Sequence, residues 1–253
     1  MKEILFQHRG KKYTANLQNG IDLSLPISPN PKAASAWYVN PSIIEPVKGE
    51  GFIGSVAHGG SVNFRNVSFN PHGNCTHTEC LGHITAEVHS VNDKIKDYHL
   101  FATLITVTPV AQDHDLVILK DDFIGKLNNH PEALIIRTYP NPTSKRTLQY
   151  SNQNPPYLDV KAMEFIVDAG VKHVLIDLPS VDREVDAGIL AAHHAFWGLN
   201  NPEAPGKEDR SITELIYVPN DVEDGSFYLN LQIAPIENDA SPSRPMIYPF
   251  SEV

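Results

Sequence analysis

The spacing of apolar positions changes character about midway along the chain. In the first half it is the spacing of strands: Val62 and Phe64, then Val67 and Phe69, alternate with polar neighbours, and residues 100–110 (LFATLITVTPV) form a β-branched run suited to a buried strand. Beyond Leu116-Val117-Ile118-Leu119, strand-like and helix-like stretches alternate. Ala133-Leu134-Ile135-Ile136-Arg137 predicts a buried strand, and residues 158–169 predict a helix, with apolar residues at 163, 166 and 167 and Gly170 placed as its stop. Residues 171–177 predict a further strand, 186–196 a helix, and 212–218 and 228–234 two more strands. Prolines gather in the connections, as in Leu25-Pro26-Ile27-Ser28-Pro29-Asn30-Pro31, Tyr139-Pro140-Asn141-Pro142 and Asn154-Pro155-Pro156, where a residue without an amide donor does least harm. The expectation is an α/β fold, a mixed sheet with flanking helices on its outer side, occupying residues 1–253 as a single domain without repeat or linker.

Composition narrows the partners. The 253 residues carry 20 Lys+Arg against 30 Asp+Glu, a formal charge of −10, and 41% of them are hydrophobic, which suits a folded globular chain and not a disordered one. An acidic excess argues against nucleic acid and anionic membrane surfaces, since both select clustered cations. The two dense cationic spots, Arg9-Gly10-Lys11-Lys12 and Lys145-Arg146, read as solvated loop or strand-edge charge. Two cysteines, Cys75 and Cys80, make no disulfide framework, and neither a signal-peptide core nor a run of roughly 18 apolar residues is present. A cytoplasmic protein with no membrane or nucleic-acid partner is expected. The 12 histidines stand out against this background.

Candidate chemistry concentrates in His72-Gly73-Asn74-Cys75-Thr76-His77-Thr78-Glu79-Cys80-Leu81-Gly82-His83. In an extended chain His77, Glu79 and His83 share one face; if the later part is helical, Glu79 and His83 lie four apart and still meet. His72 joins them only through a turn or bulge at Gly73-Asn74. Imidazoles with a carboxylate suit Zn²⁺ or Mn²⁺. A structural zinc site built from Cys75, Cys80 and two histidines is the competing reading, although Glu79 has no role in it. Downstream, His193-His194 falls on the predicted helix and Glu214 on a predicted strand; taken alone they read as an amphipathic face and a solvated strand residue. Ser180 and Asp182 lack a surrounding Gly-x-Ser-x-Gly, so they indicate a loop beside a pocket and no nucleophile elbow.

Taken together, these blocks resemble the metal-dependent cyclase-like hydrolases, the family of bacterial kynurenine formamidase and isatin hydrolase. The family's histidine followed by Gly-Thr-His-x-Asp-x-Pro-x-His is matched by His72 and Cys75-Thr76-His77-Thr78-Glu79-Cys80-Leu81-Gly82-His83. Ile21-Asp22-Leu23-Ser24-Leu25-Pro26-Ile27-Ser28 is similar to its opening strand and turn, Leu134-Ile135-Ile136-Arg137-Thr138 to an inner strand, and residues 170–182 to its distal segment. The resemblance implies a swivelling β/β/α domain, usually a homo-oligomer, with one or two divalent metals, Zn or Mn, per site. It implies His77, Glu79, His193 and Glu214 as metal ligands, His72 as a further ligand if its segment bulges, and His83 as general acid/base. It implies a small-molecule substrate, an amide, a formamide as in the arylformamidases, or a cyclic carbonyl compound. Trp37, Tyr38, Phe196 and Trp197 are candidates for an apolar wall. The chain departs from the pattern in five places: Gly73 stands four before His77 where the family has its first histidine, Glu79 stands for aspartate, Cys75 for glycine and Leu81 for proline, and the gap from His193 to Glu214 is longer than the family's usual one. These departures support a second reading, a non-catalytic protein that keeps the fold and binds a metal or ligand.

Overall fold

The computed structural model describes residues 2–200 and 207–253. Its main sheet takes its strands in chain order from β1 (Ile21–Asp22), β2 (His77–Glu79), β3 (His99–Val107), β4 (Ala133–Thr138), β5 (His173–Ile176), β6 (Ser211–Glu214), β7 (Gly225–Ile233) and β8 (Ala240–Tyr248). The spatial order is β7-β3-β4-β5-β6-β2-β8-β1, and β7 also pairs with β8, so seven strands close on themselves and β1 lies against β8. From β3 through β6 the neighbours are parallel, and β2, β7 and β8 run antiparallel to theirs. Parallel neighbours need crossovers; α1 (Val160–Asp168) lies in the connection between β4 and β5 and α2 (Ala191–Trp197) in that between β5 and β6.

The unbroken apolar runs follow from this arrangement. Every residue of β4, β5 and β6 is buried, because helices cover one face and the barrel interior the other. Leu134, Ile136, Val174, Ile176 and Ile212 pack outward on Met163 and Ile166 of α1 and on Phe196 and Trp197 of α2. Ala133, Ile135 and Leu175, one residue out of phase, face inward with Leu104, Leu229 and Ile247. The α/β expectation of a mixed sheet with flanking helices therefore holds. Its closure into a barrel depends on the β7–β8 pairing, which no apolar period encodes.

Local differences have local causes. The helix expected over 186–196 begins at Ala191, since Ala187, Gly188 and Leu190 all take positive φ and Asp186 accepts from Gly188 N and Leu190 N in a tight loop. The strand expected over 212–218 ends at Glu214 because Leu215 turns the chain with φ +54°. Val62 and Phe64 precede the strand Arg65–Ser68 of an arm in which that strand pairs with Ile43–Pro46, and both are exposed. Arg9-Gly10 is the solvated hairpin turn expected, but Lys145 is no surface charge. Its side chain is 11% exposed and its Nζ donates to Thr138 O, to Thr138 Oγ1 and to Asp177 Oδ2 at 2.6–2.9 Å. The polar, proline-containing stretch Asn200 to Arg210 reads from the sequence as a loop, and of it residues 201–206 lie outside the described residues. Among the described residues no helix is long and apolar enough to cross a membrane.

Candidate metal centre

The residues of interest meet on the outer face of the barrel, between strands β2 and β6 and helix α2. His77 and Glu79 alternate with Thr78 on β2; Thr78 points the other way and shares a hydrogen bond of 2.7 Å with Thr213. Glu214 sits directly across from His77 in the antiparallel register, and Glu79 across from Ile212, a residue of the helix-facing core. His193, in the first turn of α2, presents its ring to the same face. Its helix is capped from outside, with Asp182 accepting from Ala192 N at 2.7 Å and from His193 N at 3.0 Å. His83 ends a 3₁₀ turn, Leu81–His83, and lines the cavity above the cluster.

His72 reaches the cluster by a route the strand reading did not contain. Residues Pro71–Asn74 form one helical turn, capped by Asn70 whose Oδ1 accepts from Gly73 N, with Pro71 at the first position where its missing donor costs nothing. Gly73, which occupies the position of the family's first histidine, has no room for a side chain: a Cβ there would lie 2.5 Å from Val39 Cγ2 and 2.8 Å from the carbonyl of Ala36. The ring therefore comes from the preceding residue.

Three imidazoles are oriented in the same sense. His77 Nδ1 lies 3.1 Å from Cys75 O, His193 Nδ1 2.5 Å from Asp182 Oδ2, and His72 Nε2 2.8 Å from Asp239 Oδ2. Each of these acceptors takes the ring's N–H, which in the neutral ring leaves the other nitrogen with its lone pair pointing inward. Inward lie carboxylates: His193 Nε2 is 3.0 Å from Glu79 Oε1, His72 Nδ1 is 3.2 Å from Glu79 Oε2, and His77 Nε2 is 3.4 Å from Glu214 Oε2. Acceptors thus face acceptors. Two of these atoms, His77 Nε2 and Glu79 Oε2, are fully buried with no hydrogen-bond partner. Buried polar atoms are normally satisfied, and a cation between His77 Nε2 and Glu79 Oε2 would satisfy both. His72, His77 and Glu79, and likewise Glu79, His83 and His193, offer ligand atoms within 4.8 Å of one another. The nitrogen and oxygen donors fit a divalent ion.

Electrostatics point the same way. Burial opposes a charge on His193, yet Asp182 and Glu79 outweigh it and push its pKa up to about 10. Burial of His72 is likewise outweighed by Asp239 and Glu79, again up to about 10. Burial would raise Glu79, but His83 and His193 hold it well below the usual carboxylate range. The cluster demands positive charge, which protons on the imidazoles or a divalent cation can provide. The cysteines take no part. Cys75 and Cys80 are buried thiols pushed up to about 12 and about 11, chiefly by burial, and their sulfurs donate to Pro71 O and His89 O. Among the described residues no group of candidate ligands contains a cysteine, so the thiolate zinc reading does not hold.

Comparisons with known proteins bear on the family and the fold. The family model described as "Putative cyclase" matches residues 21–183. The chain belongs to that family. Among solved structures, one described as a potential metal-dependent hydrolase with cyclase activity is similar over 90% of this chain and 96% of its own, at 15% identity and TM-score 0.64. Isatin hydrolase A from Labrenzia aggregata, bound to benzyl benzoate, covers 90% of this chain and 93% of its own, at 14% identity and TM-score 0.65. A predicted metal-dependent hydrolase from Bacillus stearothermophilus covers 90% and 97%, at 17% identity and TM-score 0.60. A sequence comparison with curated proteins finds no match.

This cyclase-family centre contains two carboxylates that reading the sequence did not assign to it. Asp182 reads from the sequence as part of the distal block and of a loop beside a pocket; its carboxylate lies 2.5 Å from His193 Nδ1. Asp239 lies beyond the matched residues, in the connection between β7 and β8, where nothing in the local pattern marks it. The cavity over the centre has a volume of about 390 Å³ and is lined by Trp37, Val39, Leu190, Ser180 and Arg183 besides the histidines. Of the four aromatic residues expected to form a wall, only Trp37 does. Phe196 and Trp197 belong to the core, and Tyr38 is exposed, with its hydroxyl on Asn152 and Glu184.

Proposed function

We propose that the chain is a metal-dependent hydrolase of small molecules that cleaves an amide, a formamide or a cyclic carbonyl compound. The observation that carries this reading is the set of three imidazoles whose free nitrogens converge on Glu79 and Glu214 at the floor of a cavity. His77, Glu79, His193 and Glu214, with His72, would hold the ion. When bound, Zn²⁺ or Mn²⁺ would supply a water of lowered pKa, near 7 for zinc, and Lewis-acid polarisation of the scissile carbonyl.

The chain's own residues do the rest. His83 is partly exposed to the cavity, with Nδ1 3.4 Å from Asp239 Oδ2 and Nε2 3.9 Å from Glu79 Oε2. With its Nδ1 proton directed at Asp239, the ring takes a proton at Nε2 from the attacking water and returns it to the leaving nitrogen or oxygen. Trp37, Val39 and Leu190 give the cavity apolar walls against which a flat acyl or aryl group packs, and its volume suits a small ligand. Arg183, held by Asp115 at 3.1 Å, stands at the rim as a fixed positive charge.

The test is hydrolysis of a panel of N-formyl anilides including N-formylkynurenine, simple amides, cyclic imides and lactones, with protein of measured metal content, with and without chelator. Turnover that follows metal content and falls by about 10²–10⁴ in His83→Ala supports the reading. Turnover indifferent to both would refute it.

A further inference from the structure

His72 stands one residue before the family's first histidine, and what holds it there lies far away in sequence. Asp239 Oδ2 is 2.8 Å from His72 Nε2 and 3.4 Å from His83 Nδ1, so one carboxylate oxygen faces the outer nitrogen of both rings. The two rings lie side by side, centroids 4.3 Å apart and 30° from parallel, and their other nitrogens both face Glu79 Oε2, at 3.2 and 3.9 Å. The loop bearing Asp239 is fastened to the ligand segment: Cys80 N donates to Asp239 O at 3.0 Å, Val91 N donates to Asn238 O at 2.8 Å, and Ala240 pairs with Glu79 in the sheet. Asp239 thus moves with β2.

We propose that Asp239 is the positioning residue that makes His72 a cation ligand through Nδ1 and, with the same oxygen, aims Nε2 of His83 at the centre. The inference rests on the metal-centre reading above. It treats three features as one device. Gly73 has no room for a ring, His72 takes over from the neighbouring position, and Asp239 supplies the outer acceptor that Cys75 O supplies to His77 and Asp182 to His193. A ligating histidine whose second nitrogen is not held swings between tautomers and rotamers, and losing such an outer partner typically weakens metal binding about 10–100-fold. Because His83 shares the oxygen, ligand geometry and proton transfer are tied to one side chain.

The experiment uses the full chain and Zn²⁺ alone, with affinity measured by competition against a chromophoric chelator. Asp239→Ala is expected to bind Zn²⁺ about 10–100-fold more weakly, whereas Asp239→Asn, whose amide oxygen still accepts an N–H, is expected to stay within about threefold of wild type. In a double-mutant cycle, adding Asp239→Ala to His72→Ala should cost no more than about threefold further, because the carboxylate acts through that ring. A direct measurement on the wild type needs no variant: in ¹⁵N-imidazole-labelled, Zn²⁺-loaded protein His72 should show a ligated Nδ1 and a protonated Nε2.

Asp239→Ala that binds as tightly as wild type overturns the proposal, as does ligation of His72 through Nε2. Losses that add fully in the double variant, with two ions per chain, would make Asp239 a ligand itself and also overturn it. A wild-type chain that binds no divalent ion would overturn the metal centre on which the proposal stands; tight binding that is insensitive to Asp239 would overturn the proposal alone.

Discussion

Two groups of buried carboxylates flank the end of β5, and they differ in whether the protein satisfies them. Asp177 is completely buried, and burial pushes its carboxyl up, but Thr138 N and Oγ1 and Lys145 Nζ all donate to it at 2.8–3.1 Å. Nothing is left over. At the other cluster Glu79 and Glu214 face the inner nitrogens of three imidazoles, and two buried atoms have no partner. Burial of acidic groups is the same in both places; the unmet demand for a cation is what separates a staple from a site.

The comparison breaks most severely at the ligands. His77→Ala and Glu214→Ala should each lose divalent-cation binding by more than the roughly 100-fold that marks the loss of an outer partner, and hydrolysis should fall to background. A cation at 100 times its Kd stabilises a fold that alone binds it by about 2.7 kcal/mol; thermal unfolding with and without Zn²⁺ should show that increment in wild type and not in these variants. Full retention of the increment would remove either residue from the ligand set.

The staple should fail in the opposite manner. Lys145→Met leaves a buried carboxylate without its cation and should cost about 3–5 kcal/mol in urea unfolding, while Zn²⁺ affinity per folded molecule stays at the wild-type value. Adding Asp177→Asn, which removes the charge but still accepts from Thr138, should recover part of the loss. If Lys145→Met instead abolished cation binding with stability intact, the two clusters would be one.

A third buried polar group sharpens the contrast on a smaller scale. His173 opens β5, its Nδ1 shares a hydrogen bond of 2.8 Å with Ser211 Oγ, and burial holds its pKa down at about 4, below the 6.5 of the unfolded chain. Between these values the unfolded state takes up a proton that the folded state refuses. The stability of metal-free protein should therefore be independent of this group above pH 6.5 and fall by up to about 1.4 kcal/mol per unit as pH drops from 6.5 towards 4. His173→Gln should flatten that slope relative to wild type in urea titrations at pH 7 and 5; an unchanged slope would contradict it.

Sequence periodicity located the elements that packing dictates. β4, β5 and α1 were legible because each presents a long apolar run or stripe with a clear stop, Gly170 among them. It overran α2 and β6, where Leu190 and Leu215 adopt positive φ, a property that a leucine does not advertise. His77, Glu79 and His83 were legible from spacing, and His193 and Glu214 only through a family resemblance, since their convergence depends on which strands pair. Asp239 was not legible at all. Its partner His72 lies 167 residues away, and an aspartate in a polar loop has no period to betray it.

The cramped seat of Gly73 fixes which residue can carry the ring. Moving the ring one position along would take His72→Gly together with Gly73→His, and the new ring would collide with Val39 and with the carbonyl of Ala36. The stretch around Ala36–Val39 would have to be remodelled first, and Asp239 would meanwhile be left with a single imidazole to hold. Single substitutions pass through forms with neither arrangement intact. His72, Gly73 and Asp239 therefore form a set that works only when all three are present.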